Sequence, residues 1–496
     1  MKGSGRAALV GAGAAVFCAL AIANAAGYRY GVSDLAFYLP AAFRSAEPAL
    51  FPRDGALLDV QSRLTLADEA ISAALRGGAA LGLGAPATVY ALHLGSLLLL
   101  YGAGVALGRT LFRSPWSVAA FVAVLTLRHA VARTGVNTLE GYFHPRVVAF
   151  ALGALALAVF LRRGVWPALI LALLATAMHT TTGFWFLIFL GVAGLVGERR
   201  DRVALLALAI VAAGLFAAAI AFGPLAGRLR PMDAAWLAVI AEKDYLFPDL
   251  WPAWAWIACA AYVAVILAAA AIRRRAGELT SGEAALLTGA GALLVAFLVL
   301  LPPLAARGAL AVQMQPSRIF WLLDLLATAG LVWMVEHRAR AYPRAPAVLA
   351  VLLLALSTVR GVYLLTVRFP ERSLAAVTLA ESPWRDAMRW AASSDARSHW
   401  LAHPYHAVLY GESLRVSARR DVLVEATKDP AVAMYDRAIA MRVADRLRAS
   451  GDFDALSAEQ ARDLARRYDL DFLITEIPLP LPVAYRNAQF FIYGLR

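Results

Sequence analysis

Long apolar segments separated by short polar stretches occupy about the first three quarters of the chain. Runs of roughly 17 to 25 apolar residues can cross the hydrocarbon core of a bilayer as helices, because a helix rises about 1.5 Å per residue. The pattern therefore predicts an α-helical polytopic membrane protein with about eleven transmembrane helices. The segments are approximately 7–27, 85–108, 115–130, 146–161, 164–180, 183–197, 203–223, 252–272, 283–304, 319–335 and 346–366.

Basic residues between these segments predict the orientation. Short loops rich in Lys and Arg stay in the cytoplasm, and such residues fall in every second loop, starting at the N-terminus. We therefore expect a cytoplasmic N-terminus and, after an odd number of spans, an extracytoplasmic C-terminus. Ala23-Asn24-Ala25 also has the composition of a signal-peptide cleavage site, but the apolar run before it is long for a signal peptide. The basic residues are Lys2, Arg6, Arg109, Arg113, Arg162, Arg163, Arg199, Arg200, Arg202, Arg273, Arg274, Arg275, Arg338, Arg340 and Arg344.

Composition narrows the class of protein further. Of 496 residues, 61% are hydrophobic and 16% are charged, which excludes an ordinary soluble domain. The net charge is +13, but the orientation of the spans accounts for many of the basic residues, so we expect no nucleic-acid partner. Cys18 and Cys259 fall inside predicted spans and imply no disulfide framework.

Two regions outside the spans are long. In the first loop, about 28–84, the three- and four-residue spacing of apolar positions in Asp59–Arg76 predicts an amphipathic helix along the membrane surface. Those positions are Leu64, Ala67, Ile71 and Leu75. From about residue 370 the composition becomes ordinary. We therefore expect a transmembrane domain, 1–366, and a small extracytoplasmic α/β domain, 367–496. Its predicted helices are 381–394, 430–449 and 457–468, and its predicted strands are 400–401, 421–425, 470–475 and 489–493.

Two motifs of the C-terminal region suggest chemistry that other features disfavour. "HPYH", His403–His406, has the residue types of a metal site, but no carboxylate or cysteine cluster follows at a suitable spacing. "LRVSARR", Leu414–Arg420, is more simply a solvated face than a binding site for an anionic polymer. We expect the region to recognise an acceptor or to cover a site in the membrane domain.

Polar clusters at the predicted outer ends of spans are the best candidates for function. An ionisable group at a helix centre costs about 2.5 to 3.5 kcal/mol unless it is partnered. Because four such clusters lie on the same predicted side, we expect them to form one site. They are Asp34 with Tyr38; Glu140, His144 and Arg146 in "NTLEGYFHPR"; His179 to Thr182 in "HTTTGFW"; and Gln313, Gln315 and Arg318 in "QMQPSR".

Each cluster also has a purely structural interpretation. Asp34 is at a position typical of a helix cap or a solvated carboxylate. His179–Gly183 has the composition of a tight turn between two spans, and Arg318 has the length to reach the headgroups. Asp324, inside the tenth predicted span, has Arg318 as a plausible partner. Pro145 is expected to begin the fourth span, because proline is tolerated in the first turn of a helix.

The order of these features resembles the GT-C superfamily of integral-membrane glycosyltransferases. The shared plan is one span, a large outward loop that starts with Asp34, two further spans, and a second outward loop that carries Glu140. The similarity covers residues 1–165 best. The chain is also similar to uncharacterised bacterial multi-span proteins with "D…YL" early, "Y-F-H-P-R" in the second outward loop and an "H-x-T-T-G" turn.

The resemblance implies roles for the two acidic residues. Asp34 is expected to act at the transfer centre, and Glu140 to hold a metal or the donor phosphate. A divalent cation, Mg²⁺ or Mn²⁺, would then be bound by Asp34 and Glu140. Neither position carries the paired acidic DE or DxD of the family pattern, which leaves the metal dependence open.

The chemistry of such a transfer matches the residue types. It needs a base for the acceptor hydroxyl and cations for the departing phosphate. We assign the base to Asp34 and the phosphate ligand to Arg318, because a guanidinium can bind phosphate through two parallel hydrogen bonds. The predicted substrate-binding residues are Tyr38, His144, Arg146, His179 and Arg318.

The leading hypothesis is a glycosyltransferase of the bacterial inner (cytoplasmic) membrane. Its donor would be a polyprenyl-phosphate-linked sugar anchored in the membrane lipid, and its acceptor an extracytoplasmic glycan, lipid or protein. A transporter or flippase of lipid-linked or polysaccharide precursors is one alternative, and it predicts polar residues in the middle of spans. A non-catalytic assembly protein with a GT-C-like fold is another. Polar residues concentrated at the outer ends favour the transferase.

Overall fold

The computed structural model of the chain describes residues 3–63, 65–197 and 200–496, without the side chains of residues 3–7, 61 and 62. Lys2, Leu64, Arg199 and the side chain of Arg6, which entered the predictions above, lie outside the described part of the chain.

Helices dominate the described residues. Up to residue 250 they are α1 (Gly3–Asn24), α2 (Leu35–Ala46), α3 (Gly55–Ser62), α4 (Ala67–Ala80), α5 (Ala85–Leu111), α6 (Pro115–Leu125), α7 (Pro145–Arg163), α8 (Val165–Met178), α9 (Thr180–Gly197), α10 (Arg202–Phe222) and α11 (Ala234–Ile240). They continue with α12 (Ala253–Arg275), α13 (Ser281–Ala305), α14 (Ala309–Met314), α15 (Ile319–Arg338), α16 (Ala345–Tyr363), α17 (Pro383–Ser393), α18 (His406–Leu409), α19 (Leu414–Ser417), α20 (Asp429–Ala433), α21 (Arg437–Ser450) and α22 (Ala458–Tyr468). Short 3₁₀ turns lie at Asp244–Leu246, Pro248–Leu250, Pro316–Arg318 and Phe453–Ala455, and α16 ends in a π turn, Leu364–Arg368.

The apolar helices coincide with the predicted spans. In the described part of the chain, eight helical segments are long and apolar enough to cross a membrane, and three shorter apolar helices occur at Ala8–Asn24, Pro115–Leu125 and Val165–Met178. Together they fall on all of the predicted segments. The protein is therefore a polytopic, multi-pass membrane protein. α10 exposes large apolar side chains along most of its length, which is expected of a helix that faces lipid.

The packing of α7 and α9 against their neighbours positions the functional region. α7 packs against α5 and α8, and α9 packs against α8 and α13. α7 begins at Pro145, as predicted, and ends at Arg163, because the following Gly164 has a φ of +87° that stops the helix. Gly183 lies where α9 crosses α8, and a Cβ there would be 2.1 Å from the backbone nitrogen of Thr176. Only glycine permits this approach, which brings His179 between the two helix ends.

The first loop differs from its prediction. Instead of an amphipathic helix across Asp59–Arg76, α3 ends at Ser62 and α4 begins at Ala67. The Thr65 hydroxyl donates to the carbonyl of Ala177, 2.9 Å away, and so ties the break to the end of α8. α4 packs against α2 and α5 with Ile71 buried. The apolar face of α4 therefore meets protein.

The C-terminal region contains a mixed sheet. Strands β5 (His399–Leu401), β6 (Asp421–Val422) and β7 (Phe472–Thr475) are parallel, and β9 (Phe491–Gly494) is antiparallel to both β7 and β8 (Val483–Arg486). The order is β6-β5-β7-β9-β8. α17 covers one face with Trp384, Met388 and Ala391, and α21 and α22 cover the other. This agrees with the predicted α/β region, except that β8 was not predicted and 430–449 is split into α20 and α21.

Contacts join this region to the first loop. β1 (Tyr28–Arg29) pairs in parallel with β4 (Ala375–Ala376), whereas β2 (Ala130–Val131) and β3 (Val136–Asn137) form a hairpin before α7. Asp54 of the first loop is fully buried beside Arg415, with a Nε–Oδ2 distance of 2.8 Å. The expectation that Leu414–Arg420 is a solvated face is therefore wrong, because Arg415 lies in the interior.

Candidate functional site

A cavity of about 490 Å³ lies where α2, the loop before α7, the α8–α9 junction, the turn before α15 and the segment before α20 meet. Every predicted site residue lines it. The predicted residues are Asp34, Tyr38, Glu140, His144, Arg146, His179 and Arg318, and Gln313 and Gln315 line it as well. The four clusters, which are far apart in sequence, are thus brought together.

Asp34 precedes α2 without capping it. Ser33 has a left-handed φ of 54°, and the Asp34 carboxylate makes no hydrogen bond to the N-terminus of α2. Instead, Oδ2 accepts from the Tyr142 hydroxyl at 3.0 Å and lies 3.2 Å from Nε2 of His144. Oδ1 lies 2.7 Å from Nζ of Lys428. The capping interpretation is therefore wrong, and both carboxylate oxygens point at donors in the cavity.

His144 has a defined tautomer. Its Nδ1 accepts a hydrogen bond from the backbone N–H of Arg146 at 3.1 Å, so in the neutral ring the proton is on Nε2, which faces Asp34. Burial lowers the pKa of His144, and the nearby Arg146 guanidinium lowers it further, against the opposing effect of Asp34. The side chain is 3% exposed. His144 is therefore a neutral donor to Asp34 at pH 7.

Asp34 remains ionised in this environment. Burial alone would raise the pKa of its carboxyl, but the Lys428 ammonium and the His144 hydrogen bond hold that pKa well below its usual range. The side chain is 28% exposed, so the carboxylate is half-buried and still reaches the cavity. Tyr38, on the first turn of α2, stands edge-on to His144 with 5.3 Å between the ring centroids.

Glu140 is tied to arginines. Its Oε1 accepts from Nη2 of Arg146 at 2.7 Å, its Oε2 lies 3.6 Å from Nη2 of Arg128, and Nδ2 of Asn137 donates to Oε1 at 3.4 Å. Glu140 and Arg146 are each 6% exposed. Glu140 thus neutralises the buried Arg146, contacts the exposed Arg128, and lines the cavity together with both arginines.

Arg318 lines the cavity from the α8–α9 junction. Its Nη1 donates to the Thr181 hydroxyl at 2.6 Å and lies 3.2 Å from Nε2 of His179. The side chain is 8% exposed, so the interpretation that Arg318 reaches toward headgroups is wrong. Burial lowers the pKa of His179 well below its usual range, and Arg318 and His144 add to this effect. A neutral imidazole therefore accompanies the guanidinium.

No carboxylate among the described residues lies within 4.0 Å of Arg318, and its Nε has no hydrogen-bond partner there. Asp324, for which the sequence suggested Arg318, lies 2.9 Å from Nδ1 of His129 instead. Gln315, with a left-handed φ of 47°, turns the chain so that Arg318 starts α15 facing the cavity. An unpaired buried guanidinium is a strong site for an anion.

Several lining residues were not predicted. Lys428 precedes α20, Tyr435 follows it, and Arg228 and Lys243 come from the segment between α10 and α12. Composition carries a signal for two of them. The chain has three lysines, Lys2, Lys243 and Lys428, among 47 basic residues, and two of the three line the cavity. Lysine is rare in this arginine-rich chain, and its ammonium is a compact point charge where the arginine guanidinium is a planar fork.

The cavity is strongly positive. Six basic side chains line it against two acidic ones, an excess of four charges among the described residues. Lys243 has a lowered pKa because of burial and of the nearby Lys428. Apolar side chains, among them Phe184, Phe216 and Met314, line the same cavity. A ligand that joins an anionic group to an apolar chain matches this lining. The basic residues are Arg128, Arg146, Arg228, Lys243, Arg318 and Lys428, and the acidic residues are Asp34 and Glu140.

The donor set does not match a divalent cation. Among the described residues, no group of three or more His, Cys, Asp or Glu side chains is arranged to hold a metal. Asp34 faces a lysine and histidine N–H, and Glu140 faces two arginines. Mg²⁺ and Mn²⁺ require oxygen ligands that converge on one point, and these carboxylates are directed to separate cations.

Comparison with known proteins finds no relative by sequence but does find solved structures with a similar fold. No family model matches the chain, and no curated protein matches it. The solved apo oligosaccharyltransferase of Archaeoglobus fulgidus is similar with a TM-score of 0.50 and 12% identity, over 96% of this chain and 70% of that one. The chain therefore shares the fold of this archaeal protein. A structure of the same archaeal protein, complexed with Zn and sulfate, aligns with a TM-score of 0.49 and 13% identity over 94% and 67% of the two chains. The resemblance seen in the sequence is confirmed at the level of fold.

Proposed function

We propose that this GT-C-type chain is a membrane glycosyltransferase that moves a sugar from a polyprenyl-phosphate donor to an extracytoplasmic acceptor. One observation carries the proposal. An ionised carboxylate, Asp34, and a buried guanidinium with no carboxylate partner among the described residues, Arg318, line the same cavity. Transfer of a sugar from a phosphate needs a group of each kind, one at each end of the reacting bond.

Arg318 is the proposed ligand of the donor phosphate. A buried charge without a partner is costly, and an anion in the cavity would remove that cost. His179 is neutral and Thr181 is a hydroxyl, so neither competes for the charge of the guanidinium. Phe184 and Phe216 offer an apolar approach for the first isoprene units of the lipid.

Asp34 is the proposed site for the acceptor. The new bond joins the acceptor oxygen to the anomeric carbon of the sugar, while the bond from that carbon to the phosphate oxygen breaks and its electron pair leaves with the phosphate. A carboxylate with a lowered pKa is a weak base at the start of this step. As the new bond forms, the acceptor proton becomes strongly acidic, so Asp34 can take it late in the step.

His144, Arg146 and Glu140 are assigned supporting roles. His144 holds Asp34 through its Nε2–H, and Glu140 holds Arg146 at the wall. Tyr38 packs against His144 and is proposed to bound the sugar subsite. Glu140 is proposed to act through Arg146 and not as a metal ligand, because both of its oxygens face arginines.

The test uses the purified protein in nanodiscs with a polyprenyl phosphate that carries a radiolabelled hexose. For Asp34→Asn we expect unchanged donor binding and turnover lowered by at least about 100-fold, the usual effect of losing an acid–base group. For Arg318→Met we expect donor affinity to fall by about 10- to 100-fold, since a hydrogen bond to a charged group is worth about 1.5 to 3 kcal/mol.

Arg437→Met is the matched control, because it removes a surface guanidinium that pairs with Asp233 outside the cavity. It should change neither quantity. Full turnover in Asp34→Asn would contradict the proposal. Movement of the intact lipid-linked sugar across a vesicle membrane without transfer would favour the transporter instead.

We further propose the predicted topology, with the cavity on the outer side of a bacterial inner membrane and the division into 1–366 and 367–496. The loops assigned to the cytoplasm support it by meeting one another away from the cavity, where Glu278 pairs with Arg113 and Arg340. In intact spheroplasts, a membrane-impermeant maleimide should label a cysteine introduced at the exposed Glu381 and not one introduced at Arg275. The reverse pattern would overturn the orientation.

A further inference from the structure

We infer that the Lys428 ammonium takes the place of a divalent cation at Asp34, so that the centre works without a bound metal. This inference rests on the proposed transferase function and adds to it which group supplies the positive charge beside Asp34. Lys428 comes from the C-terminal region, while Asp34 directly follows the first span. The positive charge beside Asp34 would thus come from a side chain of the protein, which the fold brings there from a distant part of the sequence.

Both carboxylate oxygens of Asp34 already face donors of the protein. Oδ1 has Nζ of Lys428 at 2.7 Å, and Oδ2 has the Tyr142 hydroxyl at 3.0 Å and Nε2 of His144 at 3.2 Å. His144 cannot replace a carboxylate as a metal ligand in this arrangement, because its Nε2 carries the proton while Nδ1 accepts from the backbone. A cation at Oδ1 would have to compete with Lys428, and a cation held by both oxygens would also disturb the Tyr142 and His144 contacts.

Lys428 is held rigidly for this position. Its backbone N–H donates to the carbonyl of Glu425 at 3.2 Å, and Asp429 accepts from the Glu425 N–H at 2.9 Å, which closes the turn. Arg415 then clamps Asp429 through two hydrogen bonds of 2.6 and 3.0 Å. The Lys428 side chain is 13% exposed. Because this network fixes the backbone that carries Lys428, only the Lys428 side chain has to be ordered when its ammonium contacts Asp34.

The surrounding charges also oppose a second cation. Lys243 and Arg146 face the same cavity, and Glu140 is already neutralised by Arg146 and Arg128. A dication near Asp34 would therefore meet a positive field without the additional carboxylates that normally offset it. Lys428 acts through Asp34, so we describe it as a positioning residue.

The first test does not depend on turnover. Binding of Mn²⁺ to the purified full-length wild type is measured by electron paramagnetic resonance at metal concentrations up to about 1 mM. This limit is close to the dissociation constant of the weakest functional divalent-cation sites in proteins. We expect the wild type and Asp34→Asn to bind the same amount of Mn²⁺, because Asp34 holds none. A one-to-one Mn²⁺ site in the wild type that is lost in Asp34→Asn overturns the inference.

The second test restores the charge chemically. Lys428→Cys should lower turnover by at least about 100-fold, as expected when a fixed electrostatic group is lost. Alkylation with 2-bromoethylamine converts that cysteine to a side chain with an ammonium at nearly the lysine length, and Cys18 and Cys259 are buried. We expect turnover to recover at least tenfold without added metal and in the presence of EDTA. Full alkylation of folded protein without recovery overturns the inference.

Arg448→Met is the control, because Arg448 lies in the last turn of α21, is exposed, and does not line the cavity. Its turnover should equal that of the wild type. If the wild type transfers no sugar from any lipid-phosphate donor, the proposed function fails, and the Mn²⁺ measurement still decides whether Asp34 binds a metal.

Discussion

At the scale of single residues, the charge state of a carboxylate depends on whether burial or a partner dominates. Asp34 and Asp68 show the two outcomes within the same loop. Asp34 has Lys428 and His144, which lower its pKa against the effect of burial. Asp68, at the start of α4, is fully buried, and neither of its oxygens has a hydrogen-bond partner among the described residues. Burial raises the pKa of Asp68 to about 8, with Glu69 and Asp59 adding to the shift.

The raised pKa of Asp68 predicts that the free energy of unfolding depends on pH. The folded state keeps the Asp68 proton between the ordinary carboxyl pKa, about 3.9, and about 8, whereas the unfolded state loses it. Stability should therefore fall as pH rises through this window, by roughly 1 kcal/mol per pH unit. Asp68→Asn removes the titration, so its melting temperature should exceed that of the wild type more at pH 8 than at pH 5. Tryptophan fluorescence during thermal unfolding measures this difference.

The control for this prediction is Glu69→Gln, because the adjacent Glu69 is exposed. It should show a much smaller pH-dependent change. An equal gain in stability at both pH values for Asp68→Asn would contradict a buried titrating carboxyl and would indicate a simple packing effect.

The residues that the sequence predicted share a physical property. Asp34, His144 and Arg318 are polar groups beside long apolar runs, where a group without a function is costly. Lys428 and Tyr435 lie in a stretch of ordinary composition, where a lysine or a tyrosine is unremarkable. Only the fold brings that stretch against Asp34. The partner of Asp324 was also wrong, because a helix pattern does not specify which neighbouring segment supplies it, and His129 comes from the loop between α6 and β2.

At the scale of elements, length and hydropathy predicted the spans because a bilayer requires every backbone group to be bonded within its own helix. Breaks outside the membrane were harder to predict. The gap between α3 and α4 depends on a hydrogen bond to Ala177, more than 100 residues away, and β8 depends on its pairing with β9. Tertiary contacts of this kind leave no local pattern.

The crossing of α8 and α9 yields an element-scale prediction. Gly183→Ala would place a methyl group 2.1 Å from the Thr176 backbone nitrogen, so the two helices must separate and His179 must move. We expect a loss of about 1 to 3 kcal/mol in stability and weaker binding of the lipid-phosphate sugar, because His179 and Thr181 flank Arg318. Thermal unfolding and donor binding measure the two effects.

Gly191 provides a matched control on the same helix, because a Cβ there would meet no atom within 4 Å. Gly191→Ala should be neutral or stabilising by up to about 1 kcal/mol, since alanine favours the helix. Equal behaviour of the two alanine variants would show that the close approach at Gly183 does not hold the α8–α9 junction.

At the scale of the whole molecule, the C-terminal region completes the cavity as well as lying beside it. Lys428 and Tyr435 line the cavity, β4 pairs with β1, and Asp54 is buried beside Arg415. Removal of 370–496 would expose Asp54 and leave Asp34 without Lys428. We therefore expect such a deletion to destabilise the membrane part, so a point substitution at the junction is the cleaner test.

Arg415 is the residue to change. It is fully buried and contacts Asp54 at 2.8 Å and Asp429 at 2.6 Å. Arg415→Met leaves two buried carboxylates without this partner, which should cost about 3 to 5 kcal/mol and lower the melting temperature. Because Asp429 closes the turn that carries Lys428, donor turnover should fall as well. Arg448→Met, exposed on α21, should leave both unchanged.

The triple variant Arg415→Met, Asp54→Asn, Asp429→Asn should regain part of the stability without regaining turnover. This result would separate the contribution of the network to stability from its positioning of Lys428. Recovery of both together would contradict that positioning role.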